Sequence, residues 1–183
     1  GSEMCIRDSY YAAGWIHGFG GSILSEDGKP GLNTPETIKA LTYHKKFVDY
    51  MPGETEYATV NTLFTEGMAH ATIAGPWFVP TVRAAGIDVG IAPMPIVDET
   101  GLPLAPYSGV QGLHVLKVHA QSKKDAITTV LTTLMQPEVS IKLAKVSGCA
   151  PALESCYEQE DVKGDELIMA MRSTAETAIP MPN

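Results

Sequence analysis

Ala74-Gly75-Pro76-Trp77-Phe78-Val79 is the stretch on which the reading of this chain turns. It follows a short β-branched run, Ala71-Thr72-Ile73, and leads into what the pattern predicts as a brief helix closing near Gly86. The Gly-Pro pair fixes a tight corner, because proline locks its own φ. A large indole then stands at the exit of a predicted strand. An indole is costly to leave in water without a purpose, and its flat face suits an apolar ligand surface. Taken alone, Trp77 reads more simply as a ring capping a core. The rest of the chain shifts that balance.

Toward the N-terminus, the corner is preceded by a predicted strand over 69–74. Before it comes a short helix, about 58–66, with Tyr57 just ahead and Gly67 as its stop. Earlier still, Thr34 or Asn33 can cap a helix that has Pro35 at its first position and Glu36 near its positive end. Ile38, Leu41, Val48 and Met51 then fall on one face. The segment 25–33 is turn-rich and reads as a hairpin. Tyr10 to Gly21 is small, aromatic and apolar, which predicts a buried helix ending at the glycines.

Toward the C-terminus, the pattern predicts a second strand over 87–93, a loop at Asp98-Glu99-Thr100-Gly101, and a third strand around 110–118 after Tyr107. From there the texture becomes helical. Ser122 with Asp125 reads as a capping box for a helix through Met135. Pro137-Glu138 opens another that ends at Gly148, and a last helix runs from about Asp165 to Ala175. The expected class is therefore α/β with a helical C-terminal third.

The chain has 183 residues, 44% hydrophobic and 19% charged, which is a folded globular composition. A net charge of -8 with no basic stripe argues against nucleic acid and against an anionic membrane surface. Nothing reads as a transmembrane span or a signal peptide. Residues 1–8 read as a leader outside the fold, with Gly1-Ser2 resembling an expression scar and no periodicity over 3–8. Cys5, Cys149 and Cys156 lack metal-knuckle spacing. Cys149 and Cys156 are near enough in sequence to bridge, but spacing does not show the geometry a bridge requires.

Catalytic templates fit poorly. Gly18-Phe19-Gly20-Gly21 lacks the Lys-Ser/Thr pair of a phosphate loop, and Ile23 stands where a dinucleotide fingerprint wants glycine. The five histidines are dispersed, and on a strand His114 and His119 would point to opposite faces. Asp98 and Glu99 sit in a turn where carboxylates are normally solvated, and a glycosidase-like pair has nothing to favour it. The chain is expected to be no enzyme and to need no cofactor or metal. What remains is a set of rings at element ends, Tyr10, Tyr11, Tyr57, Trp77 and Tyr107, where binding residues sit on α/β scaffolds.

At these residues the chain resembles the family-1 extracellular solute-binding proteins of ABC importers, the maltose-binding group. The match runs in order through Tyr10-Tyr11 with Gly20-Gly21, Thr55-Glu56-Tyr57 with Phe64-Thr65-Glu66-Gly67, Met68 to Trp77, Tyr107-Ser108-Gly109-Val110, and Ile179-Pro180-Met181-Pro182-Asn183. Some positions depart from that group: Ala13 and Val79 stand where it carries further rings, and Asp8 lies in the leader.

The resemblance implies a periplasmic-binding-protein type II-like lobe within an incomplete two-lobe fold. Residues 9–113 would form most of the second, ligand-binding lobe, 118–175 the helical part of the first, and 176–183 a crossing segment. It implies that Tyr10, Tyr11, Tyr57 and Trp77 face a small-molecule saccharide, with Tyr107 added as a fifth element-end ring. It further implies an ABC permease as partner and an extracytoplasmic location, either periplasmic or lipid-anchored. Association of copies through exposed lobe surfaces is a further expectation. The alternative is a sensor or protein-interaction module of the same fold with a non-sugar ligand.

Overall fold

A computed structural model describes residues 2–25, 27–53 and 56–181. Gly1, Thr55, Pro182 and Asn183, and the side chains of Cys5 and Asp8, lie outside the described residues. The chain opens with helix α1 (Ser2–Gly18), α2 (Pro35–Lys45) and α3 (Tyr57–Thr65), followed by α4 (Val79–Ala84) and strand β1 (Tyr107–Ser108). The remainder is α5 (Lys117–Ala120), α6 (Lys124–Leu134), α7 (Pro137–Ser147), α8 (Glu160–Lys163), α9 (Glu166–Ala175) and strand β2 (Ile179–Pro180). None of the described helices is long and apolar enough to cross a membrane. The chain divides into two units, one of residues 1–72, 93–109 and 173–183, the other of residues 73–92 and 110–172. The expected lobe ranges, 9–113 and 118–175, run across this division, since 73–92 group with 110–172.

In the first unit, α1 begins at Ser2, so residues 2–8, expected outside the fold, continue the helix. Helix propagation adds one backbone bond per residue and needs no side-chain periodicity once a buried turn has nucleated it. Its C-terminal half supplies Trp15 and Ile16, and the turn after it Phe19, to a core completed by Ala40, Val97 and Leu104. Thr34 caps α2 as expected, its hydroxyl accepting from the amide of Thr37, with Pro35 in the first turn. The buried face of α2 differs from the spacing reading. Thr37 and Ala40 are buried, while Ile38, Leu41, Val48 and Met51 are exposed. Small residues let α2 approach α1 closely, and the larger apolar side chains are turned outward.

The hairpin over 25–33 is present as a bridge between Leu24 and Pro30, closed by the Ser25 amide donating to Lys29 O at 2.9 Å. A second bridge, Ile96 to Pro103, brackets the Asp98–Gly101 turn, where Gly101 takes φ +68°. Strands β1 and β2 pair in parallel with Tyr107 opposite Ile179 and Ser108 opposite Pro180.

In the second unit, the Gly-Pro-Trp corner forms one turn of 3-10 helix (Pro76–Phe78) that passes directly into α4, which ends before Gly86 at φ +75°. Helix α7 ends on Gly148 in the left-handed conformation, φ 70°, as its sequence predicts. Ile141, Ala144, Cys156, Val162 and Ile168 form the core here. Cys149 and Cys156 are both free thiols, and burial raises the pKa of Cys156. The bridge between them is not formed. Ser122 does not cap α6: its hydroxyl donates back to His119 O at 3.5 Å, and Lys123 holds the cap position without a side-chain bond.

The three strands expected over 69–74, 87–93 and 110–118 are irregular, and 117–120 is helical instead. β-branched character only describes a side chain that fits a ladder, and the ladder needs a neighbour. Among the described residues these runs have none. Val110, Leu113, Leu116 and Val118 stand between 66% and 93% exposed.

Candidate functional site

The ring residues fall into two groups. Tyr10 and Tyr11 lie near the middle of α1, where successive residues point about 100° apart around the axis, and their rings meet edge to face at 5.8 Å and 89°. Tyr107 opens β1 and lies against Tyr10 at 6.2 Å with a 39° tilt. Three rings separated by almost the whole first unit in sequence are thus gathered into one half-buried cluster. Burial raises the phenol pKa of Tyr107. Tyr57 is half-buried at the first position of α3 in the same unit. Trp77 belongs to the other unit, on the turn after Gly75, and is 48% exposed.

A residue outside the predicted set organises the tyrosine cluster. His17 is 7% exposed, bonds from Nδ1 to Ala105 O at 2.7 Å, and meets Tyr107 edge to face at 5.2 Å. One imidazole therefore fixes both the main chain entering β1 and the ring that β1 presents. The available signal was a histidine inside the apolar run Trp15-Ile16-His17-Gly18, where a buried polar ring must find a partner.

Asp98 and Glu99 are engaged rather than simply solvated. The Tyr43 hydroxyl donates to Asp98 Oδ1 at 2.7 Å, and Lys46 Nζ reaches Glu99 Oε1 at 2.6 Å. Their role is to join α2 to the turn. No group of three or more His, Cys, Asp or Glu suited to hold a metal occurs among the described residues. A groove of about 460 Å³ in the second unit, lined by Pro137, Glu138, Ile141, Lys142, Lys145 and Asp161, contains none of the predicted rings. What the ring groups offer chemically is flat apolar surface with phenol hydroxyls at its edge, which suits the C–H faces and hydroxyls of a sugar.

Known proteins place this chain. The family model described as bacterial extracellular solute-binding protein matches residues 6–170. A maltotriose-binding protein of Pyrococcus abyssi is 30% identical over 179 residues, covering 96% of this chain and 39% of that protein. A galactooligosaccharide-binding protein of Bacillus subtilis is 29% identical, over 95% of this chain and 44% of its own length. Among solved structures, a maltose/maltodextrin-binding domain from Bdellovibrio bacteriovorus bound to maltotriose superposes with a TM-score of 0.74 at 30% identity, covering 95% of this chain and 47% of that one. The chain thus spans less than half the length of these relatives, and over that span it shares their solute-binding-protein fold. By this match over residues 6–170, the chain belongs to the bacterial extracellular solute-binding proteins.

Proposed function

We propose that this chain binds a maltodextrin-type oligosaccharide as part of the receptor of an ABC importer, without catalysing a reaction on it. The observation that carries this is the near-complete coverage of the chain by relatives named for maltotriose and galactooligosaccharide binding. The rings Tyr10, Tyr11, Tyr57, Trp77 and Tyr107 are the proposed sugar contacts. Sugar C–H faces would lie on the rings, with hydroxyls bonded at their edges. The lobe assignment, 9–113 and 118–175 joined by 176–183, belongs to the same reading.

In this role the protein works outside the cytoplasmic membrane and delivers its ligand to a permease. Relatives named as solute-binding lipoproteins of maltooligosaccharide ABC transporters support that location. Ligand would favour the closed lobe arrangement that the permease recognises, a population shift set by differential affinity. The exposed apolar residues over 110–118 support association of copies, which light scattering on a size-exclusion column measures directly.

Fluorescence titration with maltotriose, maltotetraose, a galactooligosaccharide and glucose tests the reading. A saturable response to an oligosaccharide, with affinity lowered about tenfold in Trp77→Ala, is expected. A chain silent to every saccharide overturns it.

A further inference from the structure

The six-membered half of the Trp77 indole lies against the α-carbon of Gly75. A Cβ built on Gly75 would run into Cη2, Cζ3 and Cζ2 of that ring. Gly75 itself holds φ −80° and ψ 161°, extended backbone open to any L-residue. Its own conformation therefore does not call for glycine; the ring above it does. A second glycine bears on the same corner. Gly148, at the end of α7, would bring a Cβ within 2.9 Å of Pro76 O. Beyond the corner, Phe78 and Val82 are 4% and 2% exposed and root the turn in the second unit.

We propose that Gly75 is a positioning residue for saccharide binding: it seats the indole of Trp77 flat on the main chain. The ring is then oriented before ligand arrives, and less side-chain freedom is lost on binding. Any side chain at 75 would lift the ring off its seat while leaving the backbone unstrained. The sugar-contact role of Trp77 rests on the function proposed above; the seating of the ring does not.

Iodide quenching of tryptophan fluorescence in Gly75→Ala tests the seat, because Trp15 is 9% exposed and Trp77 48%. Greater quenching than in the parent, with unchanged far-UV circular dichroism, is expected; quenching equal to the parent overturns the proposal. Should Gly75→Ala melt early, Trp77→Ala removes the obstructing ring. Gly75→Ala/Trp77→Ala should then be as stable as Trp77→Ala alone, and an equal loss on both backgrounds overturns the seat.

For binding, the maltotetraose affinity of Gly75→Ala should fall about tenfold, the scale of one aromatic contact. It should fall no further when Gly75→Ala is added to Trp77→Ala. An unchanged affinity in Gly75→Ala overturns the positioning role. A parent chain silent to sugar refutes the proposed function instead, and the quenching comparison still decides the seat.

Discussion

His17 donates from Nδ1 to the carbonyl oxygen of Ala105 over 2.7 Å, across 88 positions of sequence, and both residues are buried. A carbonyl oxygen only accepts, so the neutral imidazole must carry its proton on Nδ1. The same ring meets Tyr107 at 5.2 Å, which couples the entry of β1 to the tyrosine cluster. His17→Phe keeps an aromatic of similar shape but leaves the Ala105 carbonyl without its donor. Urea unfolding should show a loss of about 1–3 kcal/mol, with part recovered in His17→Asn. Parent-like stability in His17→Phe would show that this bond contributes nothing.

His44 stacks on Trp15 at 4.7 Å with the rings 15° apart, and burial holds its pKa below the ordinary 6.5. Between the folded and the ordinary value, the unfolded chain binds more protons than the folded one. Stability is then complete above pH 6.5 and falls as pH drops through that value toward the folded pKa. His44→Gln should flatten this part of the profile. Urea midpoints of both proteins, taken from about pH 7.5 to about pH 5, make the comparison. Parallel curves would remove His44 as the cause.

Asp165 caps α9, its Oδ1 accepting from the amides of Leu167 at 3.0 Å and Ile168 at 3.1 Å. Its charge also sits at the positive end of the helix. Since Leu167 and Ile168 are both buried, loss of the cap loosens the turn that seats them in the second core. Asp165→Ala should cost about 1 kcal/mol, and Asp165→Asn much less, in thermal melts.

The bond from the Tyr43 hydroxyl to Asp98 raises the phenol pKa above 10.0, with burial and the charges of Asp98 and Glu99 adding to it. The same bond lowers the carboxyl of Asp98. Asp98→Asn should bring the Tyr43 titration back toward its ordinary value, read by carbon NMR of the ring Cζ. A phenol titrating unchanged in Asp98→Asn would separate the two residues. The hydrogen bond itself is exposed, although Tyr43 is half-buried, so unfolding stability should barely move.

Local chemistry was legible where neighbours in sequence settle the matter. Thr34-Pro35 announced α2, Gly148 the end of α7, and the turn-rich composition of 25–33 its hairpin. The Gly-Pro-Trp corner and the family both followed from short ordered motifs. Reading failed where a distant partner decides. The runs over 69–74, 87–93 and 110–116 have strand composition but no ladder neighbour among the described residues, so they stay irregular. Ser122 had the spacing of a cap and bonded instead to the turn before it. Gly75 was read as half of a corner, and nothing in its sequence context announced the indole resting on it.

The sequence by itself determined the start of α2, the end of α7, the Gly-Pro-Trp corner and membership in the solute-binding family. These depend on residues a few positions apart or on ordered motifs. The tertiary structure decided which face of α2 is buried, that Tyr10, Tyr11 and Tyr107 share a cluster while Trp77 belongs to the other unit, and that His17 organises the tyrosines. Burial and ring pairing are set by groups that meet only once the chain has folded. Tyr43 and Asp98, 55 positions apart, and His17 and Ala105, 88 apart, carry no mark of each other in the one-dimensional pattern.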